Sequence, residues 1–214
     1  MSKKISIVKN GPYLVSGNVP LNQDIVEYNK EGIPLKTVKG KLYSEKESYA
    51  LCRCGHSQNK PYCDGTHTKI GFDGTENPEA KTKYDSQAEI IDGPDLKLKD
   101  AQQFCSGAGF CHREGNVWNL TENSNNPRAK ETAIEETMAC PSGRLVACNK
   151  KTNETIEPKL EPSIGILEDG PLSVKGGIPV ESTDGSIYEI RNRVTLCRCG
   201  KSSNKPFCDG SHLD

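Results

Sequence analysis

CRCGHSQNKPYCDGTH, residues 52–67, returns as CRCGKSSNKPFCDGSH at residues 197–212. Each copy sets three cysteines and one histidine in the pattern C-x-C-x8-C-x3-H: Cys52, Cys54, Cys63 and His67, then Cys197, Cys199, Cys208 and His212. Four soft or borderline donors in one short loop suit a thiolate-bound metal or an iron-sulfur cluster, because thiolate and imidazole satisfy iron or zinc where carboxylate would not. In an extended segment alternate side chains share a face, so the first two cysteines of each copy can meet one metal atom. Residues four apart stack on a helical turn, which puts Cys63 beside His67 and Cys208 beside His212. Two ligands from each arm fit a two-iron cluster. Asp64 and Asp209 are expected to cap a short helix, whose positive N-terminal end would favour the charge of a cluster.

The two stretches resemble the signature of the CDGSH iron-sulfur family, the NEET proteins, with Thr66 in place of serine in the first copy. The resemblance implies a 2Fe-2S cluster in each motif, the first two cysteines on one iron and the third cysteine plus histidine on the other. Proteins of that family pair two such modules into a β-capped cluster domain, usually as homodimers. Here it implies an intramolecular pseudo-dimer. Cys3His is also a zinc set, but zinc sites usually space their cysteines as C-x2-C.

The duplication exceeds the motif. Ile5–Leu21 aligns without gaps on Ile164–Val180, keeping Gly11-Pro12 against Gly170-Pro171, Val15 against Val174, Gly17 against Gly176 and Pro20 against Pro179. Tyr43 and Tyr188 each stand nine residues before their first cysteine, so the first copy carries an insertion. Short β-branched runs such as Ile5-Ser6-Ile7-Val8 and Arg193-Val194-Thr195-Leu196 read as strands.

Residues 93–158 have different chemistry. Leu96-Lys97-Leu98-Lys99 alternates like a strand, and Cys105 and Cys111 follow. A helix with an N-cap and a first-turn proline starts at Asn126-Pro127 and runs towards Met138, and Cys140-Pro141 and a strand from Arg144 to Ala147 come next. This outline resembles a single-cluster ferredoxin. A four-iron site commonly uses C-x2-C-x2-C and a distant Cys-Pro, whereas Ala108 stands at the central place here. Three thiolates, Cys105, Cys111 and Cys140, favour a 3Fe-4S cluster, with 4Fe-4S as the alternative if Cys148 or His112 supplies a fourth ligand. Structural thiols or a redox disulfide are the plain reading of the same residues. Cys148 reads as a small buried hydrophobe.

The expected architecture is α+β, small and β-rich: a first CDGSH module over residues 1–75, a linker over 76–92, a ferredoxin-like domain over 93–158 and a second CDGSH module over 159–214. His56 and His112 read as solvated loop histidines, Glu131, Glu135 and Glu136 as the wet face of their helix, and Arg53 and Arg198 as facing water or offsetting cluster charge. Only 33% of the 214 residues are hydrophobic, so three small modules should lean on their clusters for folding energy. With ten cysteines, no apolar signal core before Lys9 and no run of roughly twenty apolar residues, a reducing cytoplasm and no membrane are expected. A net charge of −1 with no basic face excludes nucleic acid.

No acid–base pair, triad or phosphate loop stands out, so the chain reads as an electron carrier, not a catalyst. It would work as a monomer with a redox partner protein. Cluster delivery to an apo acceptor, or redox and pH sensing through labile histidine ligation, is the alternative. Reduction places negative charge beside His67 and His212 and favours protons there, so potential should fall as pH rises.

Overall fold

The computed structural model describes residues 2–44 and 46–214. The first copy contributes β1 (Lys4–Ile7), β2 (Tyr13–Ser16), β3 (Leu21–Tyr28), β4 (Pro34–Ser44) and β5 (Ser48–Leu51), followed by the one-turn helix α1 (Thr66–Lys69). Next come α2 (Tyr84–Gln87), β6 (Glu89–Asp92), β7 (Leu96–Asp100), α3 (Val117–Glu122), α4 (Pro127–Ala139), β8 (Leu145–Asn149) and β9 (Thr155–Ile156). The second copy supplies β10 (Ser163–Leu167), β11 (Leu172–Lys175), β12 (Val180–Glu181) and β13 (Arg193–Leu196).

Each copy begins with a hairpin whose inward residues alternate: Ile5 and Ile7 on β1 and Tyr13 and Val15 on β2 are buried, whereas Leu14 is exposed. β10–β11 repeats it in the same register, Ile164 opposite Val174 as Ile5 is opposite Val15. The third strand of each copy then leaves its own hairpin. β3 runs parallel to β10, Leu21 beside Ile164, while β12 runs parallel to β1, Val180 beside Ile5. The sheets are therefore β12-β1-β2-β5 and β13-β11-β10-β3-β4, each completed by a strand from the other copy.

Gly17 and Gly176 make the crossing possible. Both have positive φ, 86° and 73°, and a Cβ would stand 2.6 Å from the Ser2 carbonyl or 2.4 Å from the Pro162 nitrogen. The insertion in the first copy is the long β3–β4 hairpin.

The exchange of strands merges the cores. Ile5, Tyr13, Val15, Leu21 and Leu51 pack in one cluster with Ile164, Leu172, Val174, Leu196 and Phe207, joined by Phe104, Val146 and Cys148 of the middle region. The two copies thus share one core instead of forming separate small modules, while Leu96, Leu98, Val117, Ala133 and Leu145 form a cluster of the middle region's own. Residues 76–92, read as a linker, bury Ala80 and Tyr84 in it, and Tyr84 Oη donates to the carbonyls of Lys99 (3.0 Å) and Arg144 (2.7 Å).

The middle region forms its own sheet, β6-β7-β8-β9, under α3 and α4. Asn126 accepts from the Arg128 and Ala129 amides with Pro127 in the first turn, as the sequence predicts. Glu136 does not lie on the wet face. It is 0% exposed and accepts from the Glu114 amide at 2.7 Å, and burial raises its pKa. One residue on from the exposed Glu135, a helix has turned about 100° towards the core.

Candidate metal centres

Each CDGSH loop is a pair of arms zipped onto a strand end. The Cys52 amide donates to the Pro61 carbonyl (2.9 Å) and the Cys63 amide to that of Ala50 (2.9 Å). In the second loop Cys197 donates to Pro206 (2.8 Å) and Cys208 to Thr195 (2.9 Å). Ser57 and Ser202 brace the arms from within, donating to the Tyr62 and Phe207 carbonyls at 2.6 and 2.7 Å.

Asp64 and Asp209 are struts, not helix caps. Asp64 accepts from the amides of Gln58 (2.8 Å) and Thr66 (3.0 Å), and Asp209 from those of Ser203 (2.8 Å) and Ser211 (3.1 Å). These bonds lower the carboxyl pKa of Asp64, Thr66 contributing most. For Asp209 burial works upward, but the bonds from Ser211 and Ser203 prevail and its pKa is lowered. The cap position of α1 belongs to Gly65, with left-handed φ of 87° and no side-chain bond. The second loop has only a turn there. With a single helical turn in the first loop and none in the second, the expected helix-dipole contribution is small.

The predicted donors come together in pairs. Sγ–Sγ is 3.8 Å for Cys52 and Cys54 and 3.6 Å for Cys197 and Cys199, while Sγ to Nδ1 is 3.3 Å for Cys63 and His67 and 3.4 Å for Cys208 and His212. Two thiolates at about 2.3 Å from one tetrahedral metal stand about 3.8 Å apart, and a thiolate and an imidazole nitrogen about 3.5 Å. All four pairs sit within a few tenths of an ångström of this spacing, and all ten cysteines are free thiols. Among the described residues no three His, Cys, Asp or Glu side chains converge on one metal position.

Burial favours the thiol form at two of these positions, raising Cys54 and pushing Cys208 up to about 12. In the close pair Cys197–Cys199, the hydrogen bond between the thiols draws Cys199 towards thiolate and holds Cys197 as thiol.

Arg53 does not face water, and Arg198 is half-buried. Arg53, 2% exposed, donates to the carbonyls of Val8 (3.1 Å) and Gly74 and lies 5.5 Å from the Tyr13 ring centre. Arg198 donates to Gly170 (2.6 Å) and Leu167 (2.8 Å). Each ties its cysteine arm to the tip of its own hairpin. The two cysteine arms also meet each other: a Cβ on Gly55 would lie 2.6 Å from the Cys199 carbonyl oxygen, and one on Gly200 2.8 Å from that of Cys54. With φ at +80° as well, Gly55→Ala is expected to cost roughly 2–5 kcal/mol of stability, read by chemical denaturation, from strain plus overpacking.

In the middle region Cys105, Cys111 and Cys140 line one small cavity with Gly107, Gly109 and Arg144. Burial pushes Cys111 up to about 11. Arg144, which the sequence does not single out, is clamped by Asp100 at 2.5 and 2.7 Å, and Asp100 accepts from Trp118 Nε1 at 2.9 Å. That clamp holds a fixed positive charge at the cavity wall. Cys148 and His112 are not part of the lining. Cys148 lies in the shared core with its thiol pKa raised by burial, and the His112 ring stands 5.4 Å from that of Trp118. His56 is exposed.

The model of the iron-binding zinc finger CDGSH type matches residues 10–68 and 169–213. That of the divergent 4Fe-4S mono-cluster type matches residues 91–150. Two CDGSH domains flank a mono-cluster domain. The chain is accordingly an iron-sulfur, metal-binding protein. No curated protein matches it. Among the described residues no helix is long and apolar enough to cross a membrane.

Proposed function

We propose that the protein carries electrons on three clusters. Cys52, Cys54, Cys63 and His67 would hold one 2Fe-2S cluster, Cys197, Cys199, Cys208 and His212 a second, and Cys105, Cys111 and Cys140 a 3Fe-4S cluster. The observation that carries this reading is the pairing of donors at tetrahedral spacing on opposite arms of each loop. Two donors per metal leave two positions on each for bridging sulfide, as a two-iron cluster requires and a single zinc does not. Three cysteines in the middle cavity, without Cys148 or His112, support three irons there.

Such a cluster supplies a one-electron change of charge with little ligand movement, at a potential that imidazole in place of thiolate raises. The chain's part is to keep water from the sulfurs and to leave one edge reachable. Cys52, Cys197 and Cys208 are buried, whereas His67 and His212 are half-exposed. Their imidazoles are the edge through which a redox partner protein would be met and on which a proton would be held. Free thiols throughout suit a reducing cytoplasm, and the strand exchange completes the pseudo-dimer within one chain, so a monomer suffices.

Anaerobic purification from iron-replete cells should give about seven irons and eight sulfides per chain, with the spin signal of an oxidised three-iron centre. A silent sample with about eight irons would replace that centre by 4Fe-4S. Stoichiometric zinc in a colourless, sulfide-free preparation would overturn the whole reading.

A further inference from the structure

Although their sequences match almost residue for residue, the two CDGSH loops have different neighbours. The second is clasped on the arm that carries its third cysteine and histidine. Asn204 is buried there and donates through Nδ2 to the Gln103 carbonyl at 3.0 Å, and the Lys205 carbonyl accepts from the Asn77 amide at 2.8 Å. Phe207 is buried edge-on against Phe104, 5.1 Å between ring centres. A Cβ on Gly210 would stand 3.3 Å from the Cys105 carbonyl oxygen, and the Leu213 side chain lies against Gly107. Tyr13 of the first copy adds two bonds from beneath, donating to the carbonyls of Cys197 (2.8 Å) and Pro206 (3.1 Å).

The matching positions of the first loop lack these bonds, and Tyr62 meets an aromatic ring edge-on within its own copy, Tyr49 at 6.4 Å. Asn59 and Lys60 are exposed, and among the described residues no atom lies within 4 Å of a Cβ on Gly65. Tyr62 takes its one hydroxyl bond from within its own copy, to the Tyr43 carbonyl at 3.1 Å. The counterpart of Tyr13 is Leu172, which has no hydroxyl. Cys63 is half-buried where Cys208 is 1% exposed. On the C-x-C arm the order reverses, Cys54 being 4% exposed and Cys199 half-buried. The second loop is thus the better enclosed on the arm bearing its third cysteine and histidine, and the first on its C-x-C arm.

We infer that the duplicated loops divide the work: the first is an exchange site that passes its 2Fe-2S unit as cargo to a thiol-bearing acceptor protein, and the second, locked to the middle domain, retains its own. This rests on the proposal that both loops hold 2Fe-2S clusters. The exchange is a ligand substitution without net oxidation. Four acceptor sulfurs form bonds to iron as those to Cys63, His67, Cys52 and Cys54 break. Three of the four acceptor thiol protons pass to the released cysteine thiolates, and the fourth goes to the freed imidazole or to water. The arm bearing Cys63 and His67 opens first because fewer contacts from other parts of the fold hold it, and local opening follows local contact.

The test uses the intact holoprotein and an apo all-cysteine 2Fe-2S ferredoxin as acceptor, under anaerobic conditions. Iron, sulfide and the visible spectrum are measured before mixing, and a preparation without two 2Fe-2S clusters would overturn the underlying reading and this inference with it. At intervals, iodoacetamide quenches the mixture and peptide mass spectrometry scores which cysteines have become alkylated. The expected result is labelling of Cys52, Cys54 and Cys63 on the order of ten to a hundred times faster than of Cys197, Cys199 and Cys208, matching a few hydrogen bonds' difference in opening. His67→Cys should slow the fast phase, and Asn204→Ala should speed the slow one. Equal labelling of both loops, or faster labelling of the second, would overturn the division of labour while leaving the cluster assignment intact.

Discussion

Replacing both proposed histidine ligands, His67→Cys with His212→Cys, is expected to lower the potentials of the two proposed 2Fe-2S centres by on the order of 100–300 mV and to remove their pH dependence. The sign follows from charge. A thiolate adds a negative charge where a neutral imidazole stood, and reduction becomes harder. Sites that replace two cysteines by two histidines rise by several hundred millivolts, so one histidine should account for a fraction of that. The pH dependence disappears with the only ligand able to take up a proton on reduction. Each imidazole already faces its partner thiol through Nδ1 at 3.3 or 3.4 Å, so a cysteine must reach the same place with a shorter side chain, and His67→Ser with His212→Ser, which leaves a weak ligand, serves as control. Spectroelectrochemistry between pH 6 and 9 reads both effects. An unchanged potential in the double variant would remove the histidines from the ligand set and the electron-carrier proposal would lose its physical basis.

Arg193→Met is expected to cost about 3–5 kcal/mol, because it removes one side of a buried charged network. Arg193 stands on β13, only 3% exposed, and reaches into the middle domain: Nε donates to the Cys140 carbonyl at 2.7 Å, and Nη2 to those of Thr137 (2.8 Å) and Leu145 (3.1 Å), while Nη1 pairs with Glu157. One guanidinium thus caps the end of α4, holds the backbone of a predicted cluster ligand and fastens the second CDGSH copy to the domain inserted before it. Arg193→Lys should recover little, since a single ammonium cannot span the same carbonyls as a planar fork. Chemical denaturation gives the magnitude. Hydrogen exchange locates it: amides at the end of α4 and along β8 should lose protection, and if they keep it the arginine is not the seam between the domains.

Much of the fold was legible because the signals are local. The β-branched runs Ile5–Val8 and Arg193–Leu196 and the Asn126-Pro127 helix start each depend on a few neighbouring residues, and each appears where the pattern put it. The readings that failed concern where a polar side chain ends up. Arg53 stands between two proposed ligands, a place that suggests water, yet it is 2% exposed and satisfies a carbonyl at a hairpin tip 45 residues away in sequence. Arg198 does the same at its own hairpin while half-buried beside Cys52 and Cys199. Asp64 and Asp209 had the composition of a helix cap, but the opposite arm of the loop claimed them first. Glu136 sits one residue from an exposed glutamate and on the other side of the helix.

Taken alone, the chain's letters determined two matched sets of three cysteines and a histidine, a third set of three cysteines, and the repetition of a hairpin module around an insert. Short-range spacing carries that information, since donors two or four residues apart meet through backbone geometry alone. Only the tertiary structure decided that β3 and β12 change places between copies, that the two cysteine arms touch through Gly55 and Gly200, and that the mono-cluster domain leans on the second loop and leaves the first open. Those pairings join segments up to about 180 residues apart, and which of two near-identical loops wins a neighbour depends on how a shared core packs, a quantity that no local pattern encodes.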